Sequence, residues 1–165
     1  MTAGRRRAGW LLLAGLALAG CAPLVPLQPP GAWPGGPWSG RLALQVEGRQ
    51  DQSFSASFEL KGKAEAGELA LYSPLGTTLA VLQWLPGTAV LKANGQTQQF
   101  ESLDVLSGQV TGAAIPVAAL FDWLAGANTP VAGWQADLSE LEQGRVRARR
   151  TEPPPAAELR VVLDR

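Results

Sequence analysis

From Leu42 onward, apolar and polar residues alternate. Leu42, Leu44 and Val46 fall on one side of an extended chain, with Arg41, Gln45 and Glu47 on the other. After a polar turn at Gly48 to Asp51, Phe54, Ala56, Phe58 and Leu60 alternate with Ser53, Ser55, Ser57 and Glu59. A period of two with one polar side predicts an antiparallel sheet that is wet on one face. Leu69 and Leu71 continue the apolar side. Two strand-like segments, Glu68 to Tyr72 and Thr77 to Trp84, meet at Ser73-Pro74-Leu75-Gly76, where proline and glycine are turn formers. This predicts a hairpin with a leucine at its tip, a place where loops ordinarily carry polar residues. The residues alone leave Leu75 two positions, folded back as a satellite of the core or presented outward. The exit strand is apolar on both sides, Leu79 and Val81 on one and Ala80, Leu82 and Trp84 on the other. Its second side is therefore either covered or an exposed patch.

Pro86-Gly87 makes a further turn, Ala89 to Lys92 a short strand, and Asn94-Gly95 signals a tight hairpin that returns through Gln96 to Phe100. Two helices then interrupt the strands. Ser102 caps a short one through Leu103, Val105 and Leu106. Pro116 suits the first helical position of the second, in which Val117, Leu120, Phe121 and Leu124 repeat at helical spacing to form one apolar stripe before Gly126 ends it. Strand-like alternation resumes at Arg145 to Arg149 and at Leu159 to Leu163, and Arg145, Arg147 and Arg149 share one face.

The first 37 residues have a different character. Arg5, Arg6 and Arg7 precede an apolar run from Ala8 to Ala19, the n-region and h-region of an export signal, too short to span a bilayer comfortably. The run ends in Leu18-Ala19-Gly20-Cys21, and Cys21 is the sole cysteine. Small residues before a cysteine at this point match the bacterial lipobox. It implies cleavage before Cys21, a diacylglycerol thioether on its sulfur and an acyl group on its new amino terminus. At about 0.8 kcal/mol per buried methylene, two long chains anchor a protein stably without a transmembrane helix. Ala22 stands where aspartate marks retention at the inner membrane in enteric bacteria, so the expected destination is the outer membrane. Six of the thirteen prolines lie between Ala22 and Pro37, which rules out a helix or central strand there and predicts a tether. In polyproline form it reaches up to about 50 Å. The expected organisation is a signal peptide at 1–20, an acylated cysteine with its tether at 21–37, and one domain at 38–165.

Composition narrows the function. The chain has fourteen basic and fourteen acidic residues; removing 1–20 takes away three arginines and no acid, a net charge of −3. A mildly acidic chain without a basic block predicts no nucleic-acid partner. Histidine is absent, which removes the usual general base, triad and metal-ligand chemistry. No glycine-rich phosphate loop follows a strand. The carboxylates Glu47, Glu59 and Glu68 fall at polar-face positions and Asp51 and Asp104 at turn or helix-start positions, where they are expected to be solvated. The expectation is a protein that is not an enzyme, needs no cofactor and acts as a monomer.

Several of these segments together resemble the LolB family of outer-membrane lipoprotein receptors. Trp38-Ser39-Gly40-Arg41-Leu42 resembles the family's large apolar residue before Gly-Arg-Leu. Pro74-Leu75-Gly76 is similar to its loop between two strands, which presents an apolar side chain to the membrane. Gly112 through Pro116, Val117, Leu120, Trp123, Leu124 and Gly126 is similar to its Gly-x-x-x-Pro-(Val/Leu)-x-x-Leu-x-x-Trp-(Leu/Ile)-x-Gly helix. Trp134 to Leu138 is similar to the family's tryptophan-led strand, with the hairpin that usually precedes that strand shortened to a few residues. The likeness covers most of Trp38 to Leu138 and the last strands only by pattern. It implies an incompletely closed antiparallel β-barrel with helices in or over its opening. It also implies a receptor that takes lipoproteins from the periplasmic carrier LolA and inserts them into the inner leaflet of the outer membrane. An apolar cavity for acyl chains would then be lined by Leu42, Leu44 and Val46, by Phe54 and Phe58, by Leu69 and Leu71, and by Leu120, Trp123 and Leu124. The alternative is a structural or assembly lipoprotein with a packed core and a protein-binding surface, because alternation does not distinguish a cavity wall from a core. A cell-envelope hydrolase working through carboxylates is a further rival.

Overall fold

A computed structural model of the chain describes residues 37–111 and 115–164. The export signal, the lipobox with Cys21, the tether up to residue 36 with Trp33, and residues 112–114 lie outside the described residues. The strands are β1 (Trp38–Val46), β2 (Phe54–Lys63), β3 (Ala66–Tyr72), β4 (Thr78–Leu85), β5 (Thr88–Ala93), β6 (Gln96–Phe100), β7 (Trp134–Asp137), β8 (Arg145–Arg150) and β9 (Ala157–Leu163). The helices α1 (Leu103–Thr111) and α2 (Val117–Leu124) fall between β6 and β7. All strands join one antiparallel sheet in the order β6-β5-β4-β3-β2-β1-β9-β8-β7. Its ends, β6 and β7, do not pair with each other, so the barrel stays open, and the chain crosses from one edge to the other through the two helices.

The alternation places each strand. In β1 the apolar set Leu42, Leu44 and Val46 is buried while Arg41 and Gln45 are exposed, and β8 repeats the pattern. Asn94 and Gly95 both take positive φ, 52° and 73°, the backbone that a two-residue hairpin requires. Gly40 of the Gly-Arg-Leu motif is needed for a different reason. It pairs with Leu163 of β9, and a Cβ built on it would stand 2.0 Å from the carbonyl oxygen of Val162. Only glycine lets β1 and β9 approach this closely. Gly40→Ala is therefore expected to destabilise the domain by about 3 kcal/mol, the upper range for overpacking, because backbone rather than a side chain must move. Chemical denaturation would show this as a lower midpoint at unchanged slope.

The helices differ from each other. Ser102 caps α1 as expected, its Oγ accepting from the Val105 N–H at 3.2 Å. Pro116 stands at the N-cap of α2, one position earlier than expected, where its carbonyl accepts from Leu120. The expected single apolar stripe is also an understatement. Six of the eight α2 residues are buried, leaving only Ala118 and Asp122 outward, as in a helix enclosed by the sheet. Phe121 meets Trp38 and Trp84 edge-to-face, with ring centroids 5.6 and 6.1 Å apart. The Trp84 indole N–H donates to the Ala64 carbonyl at 3.1 Å. This aromatic group fills the end of the barrel where β1 begins and β4 ends.

One carboxylate departs from expectation. Glu68 is not solvated: it is buried on β3 beside Gln83 of β4, whose side-chain amide donates to it at 2.6 Å. An apolar residue at either position would strand the other polar group.

Candidate functional site

The other end of the barrel is not filled. A cavity of about 260 Å³ lies between the sheet and the two helices. Its floor is Leu42 with Phe54 and Ala56 of β2; its walls are Leu69 and Leu71 of β3, Leu82 of β4 and Leu91 of β5. Leu106 and Val110 of α1 and Ile115, Val117 and Leu120 close it from the helix side. Ser55 and Ser107 also border it, and the Ser107 hydroxyl donates to the Asp104 carbonyl at 3.1 Å. A cavity of about 150 Å³ accommodates benzene and stays dry when apolar. By that scale this one takes about ten carbon atoms, the end of one acyl chain. More room requires α1 to shift, and α1 is the less held helix: it buries Leu106 and Ser107 while Val105 and Val110 are exposed.

The mouth faces the end of the sheet from which the β3–β4 loop projects. Two lining residues, Leu79 and Val110, are nearly half exposed and mark it. Leu79 reaches this rim through a β-bulge. Leu71 pairs with Ala80, but Tyr72 pairs with Thr78, so Leu79 is an extra residue and turns to the cavity together with Ala80. The sequence-based expectation put Leu79 and Ala80 on opposite sides, because a strict period of two cannot anticipate an inserted residue.

Beyond the bulge, Leu75 is 94% exposed at the loop tip, so it does not fold back onto the core. The loop is built without it. Ser73 N–H donates to the Thr77 carbonyl at 2.8 Å, and Gly76 N–H donates to the Ser73 carbonyl at 2.9 Å. The Ser73 hydroxyl accepts from the N–H groups of Leu75 and Thr77 at 3.3 and 3.2 Å, and Gly76 takes φ 80° to complete the turn. Ser73 was not singled out from sequence. Its signal is a serine just before Pro-Leu-Gly, a position from which a hydroxyl can bond the backbone two and four residues on.

The ten residues expected to line a cavity divide in two. Leu42, Phe54, Leu69, Leu71 and Leu120 do line it. Leu44, Val46, Phe58, Trp123 and Leu124 are buried in the packed core away from it. They share the phase of the lining residues, and Leu44 and Phe58 even pair directly with the lining residues Phe54 and Leu71, but their side chains are covered by others of the core. Trp123 is tied down by its indole N–H, which donates to the Thr129 carbonyl at 3.0 Å, while the Thr129 hydroxyl donates to Asp122 at 2.6 Å. Its place in the helix motif is structural.

Arg145, Arg147 and Arg149 project from the outer face of β8. Arg147 and Arg149 reach Glu158 of β9 at 3.9 and 3.1 Å, Arg160 donates to the same carboxylate, and Arg145 pairs with Glu140 at 3.6 Å. The Arg160 hydrogen bond, reinforced by Arg149, holds Glu158 below the ordinary 4.5, against a smaller opposing effect of burial. A carboxyl group with a lowered folded value stabilises above its ordinary pKa and loses that contribution as pH falls through the lowered one. Glu158→Gln is expected to melt below the native chain at pH 7, with the gap narrowing as pH falls below the ordinary 4.5 and through the lowered value; thermal scans across a series of acid pH values check it.

The model of the family described as outer membrane lipoprotein LolB matches residues 37–153. The chain belongs to the LolB family. It is 34% identical to the outer-membrane lipoprotein LolB of Bordetella petrii over 92% of this chain and 89% of that one. It is 33% identical to the LolB proteins of Chromobacterium violaceum, over 81% of this chain and 76% of that one, and of Cupriavidus necator, over 88% and 76%. The family match extends past Leu138 through β8 and ends at residue 153, before β9. As a LolB protein the chain is an outer-membrane lipoprotein that serves as a receptor in lipoprotein localisation.

Proposed function

We propose that this chain takes acylated lipoproteins from a LolA-type periplasmic carrier, holds acyl chain in the cavity above Leu42 and Phe54, and releases it into the inner leaflet of the outer membrane. Cys21 carries the lipid anchor. Pro74, Leu75 and Gly76 form the loop that enters the bilayer. The observation that carries this reading is that the cavity mouth, marked by Leu79 and Val110, and the exposed Leu75 lie at the same end of the sheet. A chain leaving the cavity then emerges where the protein meets hydrocarbon. Among the described residues, the end of the interior beside Trp38 and Trp84 is filled by side chains, which favours exit at the Leu75 end.

No energy source is required by such a transfer. Acyl carbons move from one apolar cavity to another and then to the bilayer, and differential affinity along that series sets the direction. A photoreactive side chain distinguishes a working cavity from a closed core. Placed at Phe54, it is expected to crosslink to the acyl part of a lipoprotein supplied on the carrier; placed at Phe58, buried on the same strand but off the cavity, it is expected to crosslink only within the chain. Equal labelling of the cargo from both positions, or from neither, would refute the assignment of this cavity.

A further inference from the structure

The linker and the Leu75 loop leave the domain at opposite ends. β1 starts at Trp38 and runs away from the linker, β2 returns, and β3 runs parallel in space to β1 before opening into the loop. The register gives the separation. Tyr72 is level with Ser57, which is level with Arg41, and Leu75 lies three residues further on. From Trp38 to the loop tip is therefore about 20 Å along the strands at about 3.3 Å per residue, and about 10 Å across two strand spacings. A domain hanging from a short linker would point Leu75 and the cavity mouth away from the bilayer that anchors it.

We propose that the length of the linker, residues 22–37, determines which membrane receives the cargo, by allowing the domain to turn its Leu75 end back onto its own bilayer. The inference rests on the reading of Leu75 as the membrane-contacting residue. Sixteen residues separate Cys21 from Trp38. Fully extended they span about 53–58 Å, and in polyproline form about 50 Å. Either value exceeds the return distance. Deleting residues 24–35 leaves four, with a reach of at most about 14 Å. That is too short for the turn, and the loop would then meet only a second, facing membrane.

The test uses the full acylated chain in vesicles, with Leu75 kept and Thr77→Cys, exposed beside it, carrying an environment-sensitive fluorophore, and a lipid-borne quencher placed either in the same vesicles or in added, protein-free ones. With the native linker, quenching is expected from the same vesicles. Deletion of 24–35 is expected to reduce that quenching at least tenfold and to shift both quenching and cargo delivery to the added vesicles. Replacing 24–35 by the same number of glycine and serine residues is expected to behave as native. Same-vesicle quenching that survives the deletion, or is lost with the equal-length replacement, overturns the inference alone. No quenching from either vesicle with the native linker overturns the reading of Leu75 and this inference with it.

Discussion

Glutamate in place of Leu75 is expected to lower delivery of lipoprotein to the membrane about tenfold or more while leaving the thermal midpoint and acceptance from the carrier unchanged. A leucine moved from water into hydrocarbon gains about 1.5–3 kcal/mol. That is small beside the lipid anchor, so attachment is not its role, but each 1.4 kcal/mol is a factor of ten in the population of the membrane-facing orientation. Glutamate replaces the gain by a desolvation penalty. Stability is unaffected because Leu75 is 94% exposed and the turn is held by Ser73, Thr77 and Gly76. Delivery to vesicles and a thermal scan on one preparation check both halves. A lower midpoint with normal delivery would make Leu75 a structural residue.

The second large effect is expected from Ala80→Trp. Ala80 lines the cavity near its mouth and is only partly buried. An indole is larger than benzene, which itself needs about 150 Å³, so it would take up more than half of the 260 Å³. Excluding two methylenes of cargo forfeits about 1.6 kcal/mol, and acceptance from the carrier should fall about tenfold or more. Because the ring enters empty space, the thermal midpoint should hold or rise. A filled core would answer in the opposite way, with overpacking lowering stability by about 1–3 kcal/mol and acceptance untouched.

Much of this was legible in the chain. Alternation in Leu42 to Val46 and Phe54 to Leu60 assigned the inward face of β1 and β2, and Asn94-Gly95 fixed a hairpin through a backbone that few other pairs adopt. What alternation does not encode is where side chains from other elements fill the interior. Leu42 and Leu44 have the same phase, as do Phe54 and Phe58, yet the first of each pair lines the cavity and the second is buried in the packed core, although Leu44 pairs with Phe54 and Phe58 with the lining residue Leu71. The bulge at Leu79 escaped for a related reason, since one inserted residue reverses the phase of everything before it. Glu68 looked solvated because its partner, Gln83, is fifteen residues away and only the β3–β4 register brings them together. Helix α2 read as one-sided because its small residue Ala119 carries little periodic signal, although it is as buried as its neighbours.

The most direct test of the receptor role is depletion of this chain in its own cells, with the location of acylated lipoproteins followed by fractionation. The account predicts that newly made outer-membrane lipoproteins accumulate in the periplasm bound to the LolA-type carrier, and that the intact chain, but not the Ala80→Trp variant, restores their passage. Lipoproteins reaching the outer membrane at normal rates in depleted cells would contradict it.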